Sequence, residues 1–169
     1  MPLCYKIDSD NFSLGLWELS EDEEQLLNKF SAIAPREELL KAKRFKYQAR
    51  KLEWIATRLL MYELLNRVVS IDYDENGKPI INNGERSISI SHTKGIVAVI
   101  VTNNMAGIDI EMQSDRVLRI ENKFISGTRK KIRLLKKTKR NDLLTYWSGK
   151  ETLYKIHGGK GLDFKKIFT

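Results

Sequence analysis

The chain reads as an α+β protein in which helices come first, strands follow and helices return. Three observations carry that reading. Residues 21–34 and 36–68 repeat apolar side chains at helical spacing, residues 87–111 alternate apolar and polar side chains in short runs cut by turn signals, and residues 121–157 go back to helical character on a basic background. At 169 residues the chain fits one domain or two small lobes sharing an interface. With 41% hydrophobic residues it can bury a core without disulfides or structural metals.

The elements follow in order. Ser20 is placed to cap a helix over 21–34, whose first turn is crowded with acids that suit the positive end of a helix dipole, and Pro35 stops it. A second helical stretch spans 36–68, with a break expected near Phe45 and a buried stripe of Leu52, Ile55, Leu59, Tyr62 and Leu65. Arg50, Lys51 and Arg58 fall on its polar side. Asp74-Glu75-Asn76-Gly77-Lys78-Pro79 and Asn82-Asn83-Gly84 signal turns. Residues 87–91, 96–101 and 106–111 then read as a three-stranded meander. A basic helix is expected over 121–140. Asn141 or Asp142 would cap a last helix over 143–157, closed by Gly158-Gly159. Residues 160–169 read as a loop entering another strand. The order suggests two similar α+β halves, 1–105 and 106–169, with the second short of strands.

Cys4 is the single cysteine, no secretory signal opens the chain and no apolar stretch reaches the roughly 20 residues of a membrane span, so a cytoplasmic protein is expected. A net charge of +8 calls for an anionic partner without saying which.

Asp109 and Glu111, at i and i+2 on an expected strand, project from one face, and two carboxylates so close need a cation or a shared proton. Oxygen ligands without neighbouring cysteines or paired histidines favour magnesium, or manganese, over zinc. Trp147, Glu151 and Lys155 share one face of the last helix, so Glu151 can complete a set of three carboxylates and Lys155 can reach an anion. Taken singly, each has a plainer explanation: Asp-x-Glu a solvated face, Glu151–Lys155 a helix ion pair, Trp147 a core residue.

Together, Gly107-Ile108-Asp109-Ile110-Glu111 and Trp147-Ser148-Gly149-Lys150-Glu151-Thr152-Leu153-Tyr154-Lys155 resemble the paired signature of 4′-phosphopantetheinyl transferases, in particular the surfactin-synthetase-activating type. Arg44-Phe45, Gly77-Lys78-Pro79, Ile90-Ser91-His92 and Gly159-Lys160-Gly161-Leu162 extend the resemblance in order over residues 36–168. It implies two pseudo-symmetric α+β halves, the second apparently truncated here, in a monomer built as a pseudo-dimer. It also implies transfer of phosphopantetheine from coenzyme A to a serine of an acyl or peptidyl carrier protein, releasing adenosine 3′,5′-bisphosphate.

By the same resemblance, Asp109, Glu111 and Glu151 hold magnesium and the coenzyme A diphosphate. Glu151 takes the serine proton, and Lys155 serves the departing phosphate with Lys150 adding positive potential. Ser91 and His92 meet coenzyme A phosphate, and Lys78 and Pro79 cradle the adenine. Arg50 is the first choice for the 3′-phosphate, with Lys41, Lys51 and Arg58 as further candidates. The basic residues 129–140, with Leu134 and Leu135, suit docking of an acidic carrier protein rather than nucleic acid, because interleaved aromatics are missing. The resemblance also implies that the apolar face of the last helix, including Leu143, Leu144 and Tyr154, would need strands this chain lacks. Three rivals stand beside this expectation: a magnesium-dependent nuclease, a truncated carrier-protein binder without turnover, and a nucleic-acid-binding module that rests on charge alone.

Overall fold

The structure, a computed structural model, describes residues 2–82, 84, 86–125 and 136–158. It is an α+β fold. Its strands are β1 (Leu3–Asp8), β2 (Phe12–Glu18), β3 (Ile71–Tyr73), β4 (Pro79–Ile81), β5 (Ser87–Thr93) and β6 (Ile96–Thr102), and its helices are α1 (Glu23–Ser31), α2 (Arg36–Lys43), α3 (Gln48–Leu65), α4 (Arg116–Phe124) and α5 (Lys136–His157). The strands form one six-stranded sheet in the order β1-β2-β6-β5-β4-β3, with every neighbouring pair antiparallel.

The β1–β2 hairpin was not anticipated, although residues 12–17 do alternate. Their alternation is inverted. Phe12, Leu14 and Leu16 lie half-buried on the outer face, while Ser13, Gly15 and Trp17 face the core opposite Val101, Val99 and Val97. A small residue is needed at position 15 because α3 packs directly on it: a Cβ there would stand 2.7 Å from Leu60 Cδ1 and 3.2 Å from Leu64 Cδ2.

Asp22, not Ser20, caps α1. Its carboxylate accepts from the Gln25 backbone at 2.8 Å while the Gln25 amide oxygen accepts from the Asp22 backbone at 3.3 Å, a reciprocal arrangement Ser20 cannot offer from two residues earlier. The break expected near Phe45 is present: α2 stops at Lys43, and the Phe45 ring packs on Trp54 at 5.5 Å before α3 starts. Ile55, Leu59 and Tyr62 are buried as the stripe predicts, with Leu52 and Leu65 packed at its edge.

Residues 106–111 are extended but form no strand. Ile108 N–H donates to Ser89 Oγ at 3.1 Å and Ile110 N–H to Ser91 Oγ at 3.2 Å. The alternation was legible, but serine side chains rather than a neighbouring backbone satisfy it. The expected three-stranded meander is therefore a β5–β6 hairpin with an extended segment laid across its outer face, where Ser89 and Ser91 become buried.

α4 begins earlier than expected and α5 starts at Lys136, so Asn141 and Asp142 lie inside the helix and neither caps it. Leu143 and Leu144 pack with Val117, Ile120 and Phe124 of α4, so this part of the helix finds partners without further strands. The basic residues 129–135 and the strand expected in 160–169 lie outside the described residues. Among the described residues no helix is long and apolar enough to cross a membrane.

Candidate active site

β4 meets β5 at one pair, Ile80 with Ser87, and then diverges. Among the described residues nothing pairs with the rest of that β5 edge, which floors a cavity of about 390 Å³. α3 supplies one wall (Arg50, Trp54), the β3–β4 turn another (Tyr73, Lys78), and the end of α5 a third (Tyr154, Lys155). The turn is stiff. Asp74 accepts backbone N–H bonds from Asn76 and Lys78, each at 2.8 Å, and the Lys78 bond foremost holds its carboxyl below the ordinary range. Gly77 completes the turn at φ 77°, a conformation that favours glycine.

Beside this cavity the segment 107–111 is held between β5 and α5. Lys155 Nζ donates to the Ile108 carbonyl at 2.8 Å and to Asp109 Oδ1 at 2.9 Å, and Ser148 Oγ reaches the Asp109 carbonyl at 3.4 Å. Ser91 Oγ donates to the same Asp109 Oδ1 at 3.1 Å. Asp109 is therefore fixed from both sides, with a side chain only 7% exposed. Its other oxygen, Oδ2, is buried with no hydrogen-bond partner among the described residues. Glu111 accepts from the Trp147 indole at 2.7 Å. Gly107 lies against α5, where a Cβ would collide with the Thr152 carbonyl and stand 3.0 Å from Ile156 Cγ1.

Glu151 completes the group electrostatically. Burial raises its carboxyl above the ordinary glutamate range, and the charges of Asp109 and Glu111 push the same way against the lowering by Lys155. A carboxyl raised in the folded state holds its proton more tightly there than in the unfolded chain. Its contribution to stability is thus full below the ordinary glutamate range and is lost as pH rises through the raised value. Glu151→Gln removes that loss. In magnesium-free buffer at neutral pH it should raise the melting temperature by roughly 2 °C, screening of a half-buried group keeping the gain small; thermal melts at pH 4 and pH 7.5 check that the gain vanishes at the lower pH.

The basic candidates separate. Arg50 and His92 meet at the cavity, Nη1 to Nε2 at 3.1 Å, and both face Glu53. Arg58 lines the cavity but is not a free cation there. It is buried, paired to the equally buried Glu38 at 2.7 Å, with its guanidinium 3.4 Å from the centre of the Trp54 ring. Lys41 pairs with Glu38 and Lys51 with Glu23. Lys150, expected to add potential at the site, is fully buried and donates to the Phe124 carbonyl at 2.7 Å, tying α5 to the end of α4. Lys78 lines the cavity and also donates to the Ile156 carbonyl at 3.3 Å, near the negative end of α5. Pro79 lines the same wall. Ser91 and His92, adjacent on β5, point to opposite faces: Ser91 to Asp109, His92 to the cavity.

Comparison with protein-family models gave no match, and comparison with curated proteins gave none either.

Among the described residues no three His, Cys, Asp or Glu side chains already stand as a metal cage. Lys155 is paired with Asp109 Oδ1, and Trp147 holds Glu111. The donor set nonetheless fits a hard divalent cation, because Asp109 Oδ2 is an oxygen removed from water with nothing to bind.

Sequence reasoning missed Glu53, Trp54 and Tyr73 as cavity residues and Ser89 and Ser148 as holders of the segment. The serines carried a signal in Ser87-x-Ser89-x-Ser91, which reads as a solvated strand face until something lies across it.

Proposed function

We propose that the chain transfers 4′-phosphopantetheine from coenzyme A to a carrier-protein serine, as its resemblance to the surfactin-synthetase-activating type of phosphopantetheinyl transferase implies, with the corresponding fold of pseudo-symmetric halves. The observation that carries this is the cluster of Asp109, Glu151 and Lys155 beside a cavity that Lys155 itself lines and whose other side presents Arg50 and His92. Carboxylates for a cation beside the cavity and basic side chains for a phosphate across its aromatic-lined space suit a nucleotide that carries both a diphosphate and a separate phosphomonoester.

Asp109, Glu111 and Glu151 would hold magnesium, or manganese. When bound, the ion supplies charge neutralisation on the diphosphate oxygens. The residues do the rest. The carrier serine Oγ attacks the phosphorus on the pantetheine side, and its proton passes to Glu151, a carboxylate beside the reacting groups that can act as general base. The P–O bond to the bridging oxygen breaks, and the electron pair leaves on the 5′-phosphate of adenosine 3′,5′-bisphosphate. Lys155 turns from Asp109 to stabilise that oxygen. Arg50 and His92 hold the 3′-phosphate, and the Lys78–Pro79 turn cradles the base. An acidic carrier protein is the expected partner of this +8 chain.

Trp147 is a positioning residue here. Trp147→Phe keeps a ring against Phe124, now 5.2 Å away, but removes the N–H that aims Glu111. Apparent magnesium affinity, read from the activation curve, should fall about tenfold. An unchanged curve would show that Glu111 needs no such guide.

The reading is tested by weighing an apo carrier protein after incubation with the chain, coenzyme A and magnesium. The expected result is a gain of one phosphopantetheine mass that EDTA abolishes. No gain on acyl or peptidyl carriers, from folded protein, overturns it. Carrier binding without any gain would favour the non-catalytic binder. A nuclease is disfavoured because Glu151 and Lys155 sit on a helix, not on a strand beside that of the aspartate.

A further inference from the structure

The acidic side chain that lines the cavity among the described residues is Glu53, and it stands where an anion is to be bound. Its Oε2 lies 3.0 Å from Arg50 Nη1 and 3.5 Å from His92 Nδ1. Arg50 Nη1 also lies 3.1 Å from His92 Nε2, so the Glu53 carboxylate stands beside both basic side chains. Glu53 Oε2 thus accepts from Arg50 and lies close to the His92 ring. Its second oxygen, Oε1, makes no hydrogen bond among the described residues, and the side chain is 19% exposed.

A carboxylate repels an entering phosphate. Its place beside the phosphate donors makes sense where the ligand also offers a hydroxyl close to that phosphate. We infer that Glu53 accepts a hydrogen bond from the ribose hydroxyl adjacent to the phosphomonoester, so that the cavity selects a 3′-phosphorylated ribonucleotide over its 2′-deoxy counterpart. The inference rests on the coenzyme A reading and adds a specificity residue to it. Sites that accept a ligand hydroxyl discriminate sharply against analogues that lack it, because the acceptor then loses both water and partner.

The experiment is a calorimetric comparison of adenosine 3′,5′-bisphosphate with 2′-deoxyadenosine 3′,5′-bisphosphate on the full chain and on Glu53 variants. The unaltered chain should bind the ribonucleotide about tenfold more tightly. Glu53→Met, of similar length but without an acceptor, should bind both within twofold of each other, and Glu53→Gln, which keeps an acceptor, should retain most of the preference. If Glu53→Met does not fold, Glu53→Asp, which withdraws the same oxygens by one methylene, should show the reduced preference instead. Equal binding of the two nucleotides by the unaltered chain, or full preference in Glu53→Met, overturns the inference. Transfer to a carrier with no ribose preference would sink this role alone. Failure to bind either nucleotide together with no transfer would sink the coenzyme A reading itself.

Discussion

Asp109→Asn should lower phosphopantetheine transfer by about a thousandfold, roughly 4 kcal/mol of transition-state stabilisation, while leaving the melting temperature nearly unchanged. The substitution keeps size and an acceptor for Ser91 and Lys155 but removes the charge that a divalent cation would need. The expected loss is large because Asp109 lies at the crossing of three structural elements, held by β5 through Ser91 and by α5 through Lys155 and Ser148. Its unpartnered Oδ2 is already removed from water, so a cation bound there meets little competing solvent. Rate measured at saturating coenzyme A, with a thermal melt beside it, checks both halves of the expectation. A loss of tenfold or less would remove Asp109 from the reaction.

Gly107→Ala should do the opposite: it should damage the fold first and activity as a consequence. The added methyl meets the Thr152 carbonyl and the Ile156 side chain, and helix backbone cannot turn aside as a flexible side chain can. Either α5 moves outward or the 107–111 segment lifts off Ser89 and Ser91. Overpacking against backbone belongs at the upper end of the usual cost, about 3 kcal/mol, equivalent to a fall of roughly 6–12 °C in melting temperature for a chain of this size. Differential scanning calorimetry reads it. A shift below about 2 °C would mean that the contact relaxes freely.

The site was more legible than the fold that holds it. Asp109, Glu111, Glu151 and Lys155 lie in two short segments whose chemistry can be read residue by residue, and the structure brings three of them into mutual influence with Glu111 nearby. The N-terminal hairpin was hidden because its core face carries Ser13 and Gly15 while its apolar residues face outward, the reverse of what alternation implies. Asx-type and serine contacts between distant segments, such as Ser89 to Ile108, leave no periodic trace.

Two basic candidates are tied to acceptors inside the protein for one reason. Arg58 and Lys150 both fall on apolar helix stripes, the first between Ile55 and Tyr62, the second beyond Leu143 and Tyr146. Read by position both belong to the interior, and Arg58 lines the cavity from there. The buried acceptors that make interior positions tolerable, Glu38 for Arg58 and the Phe124 carbonyl for Lys150, lie 20 and 26 residues away in sequence and cannot be inferred from spacing. Such burial survives because each charge is hydrogen-bonded, as a buried ion requires.

The central claim is that the acidic cluster and the Arg50–His92 pair are two ends of one coenzyme A site. The affinity of the chain for coenzyme A, measured by calorimetry in magnesium and again in EDTA, tests it most directly. The account predicts binding at least tenfold tighter with magnesium, and no such gain in Asp109→Asn. Coenzyme A binding that ignores magnesium, or a magnesium gain that survives Asp109→Asn, would contradict it.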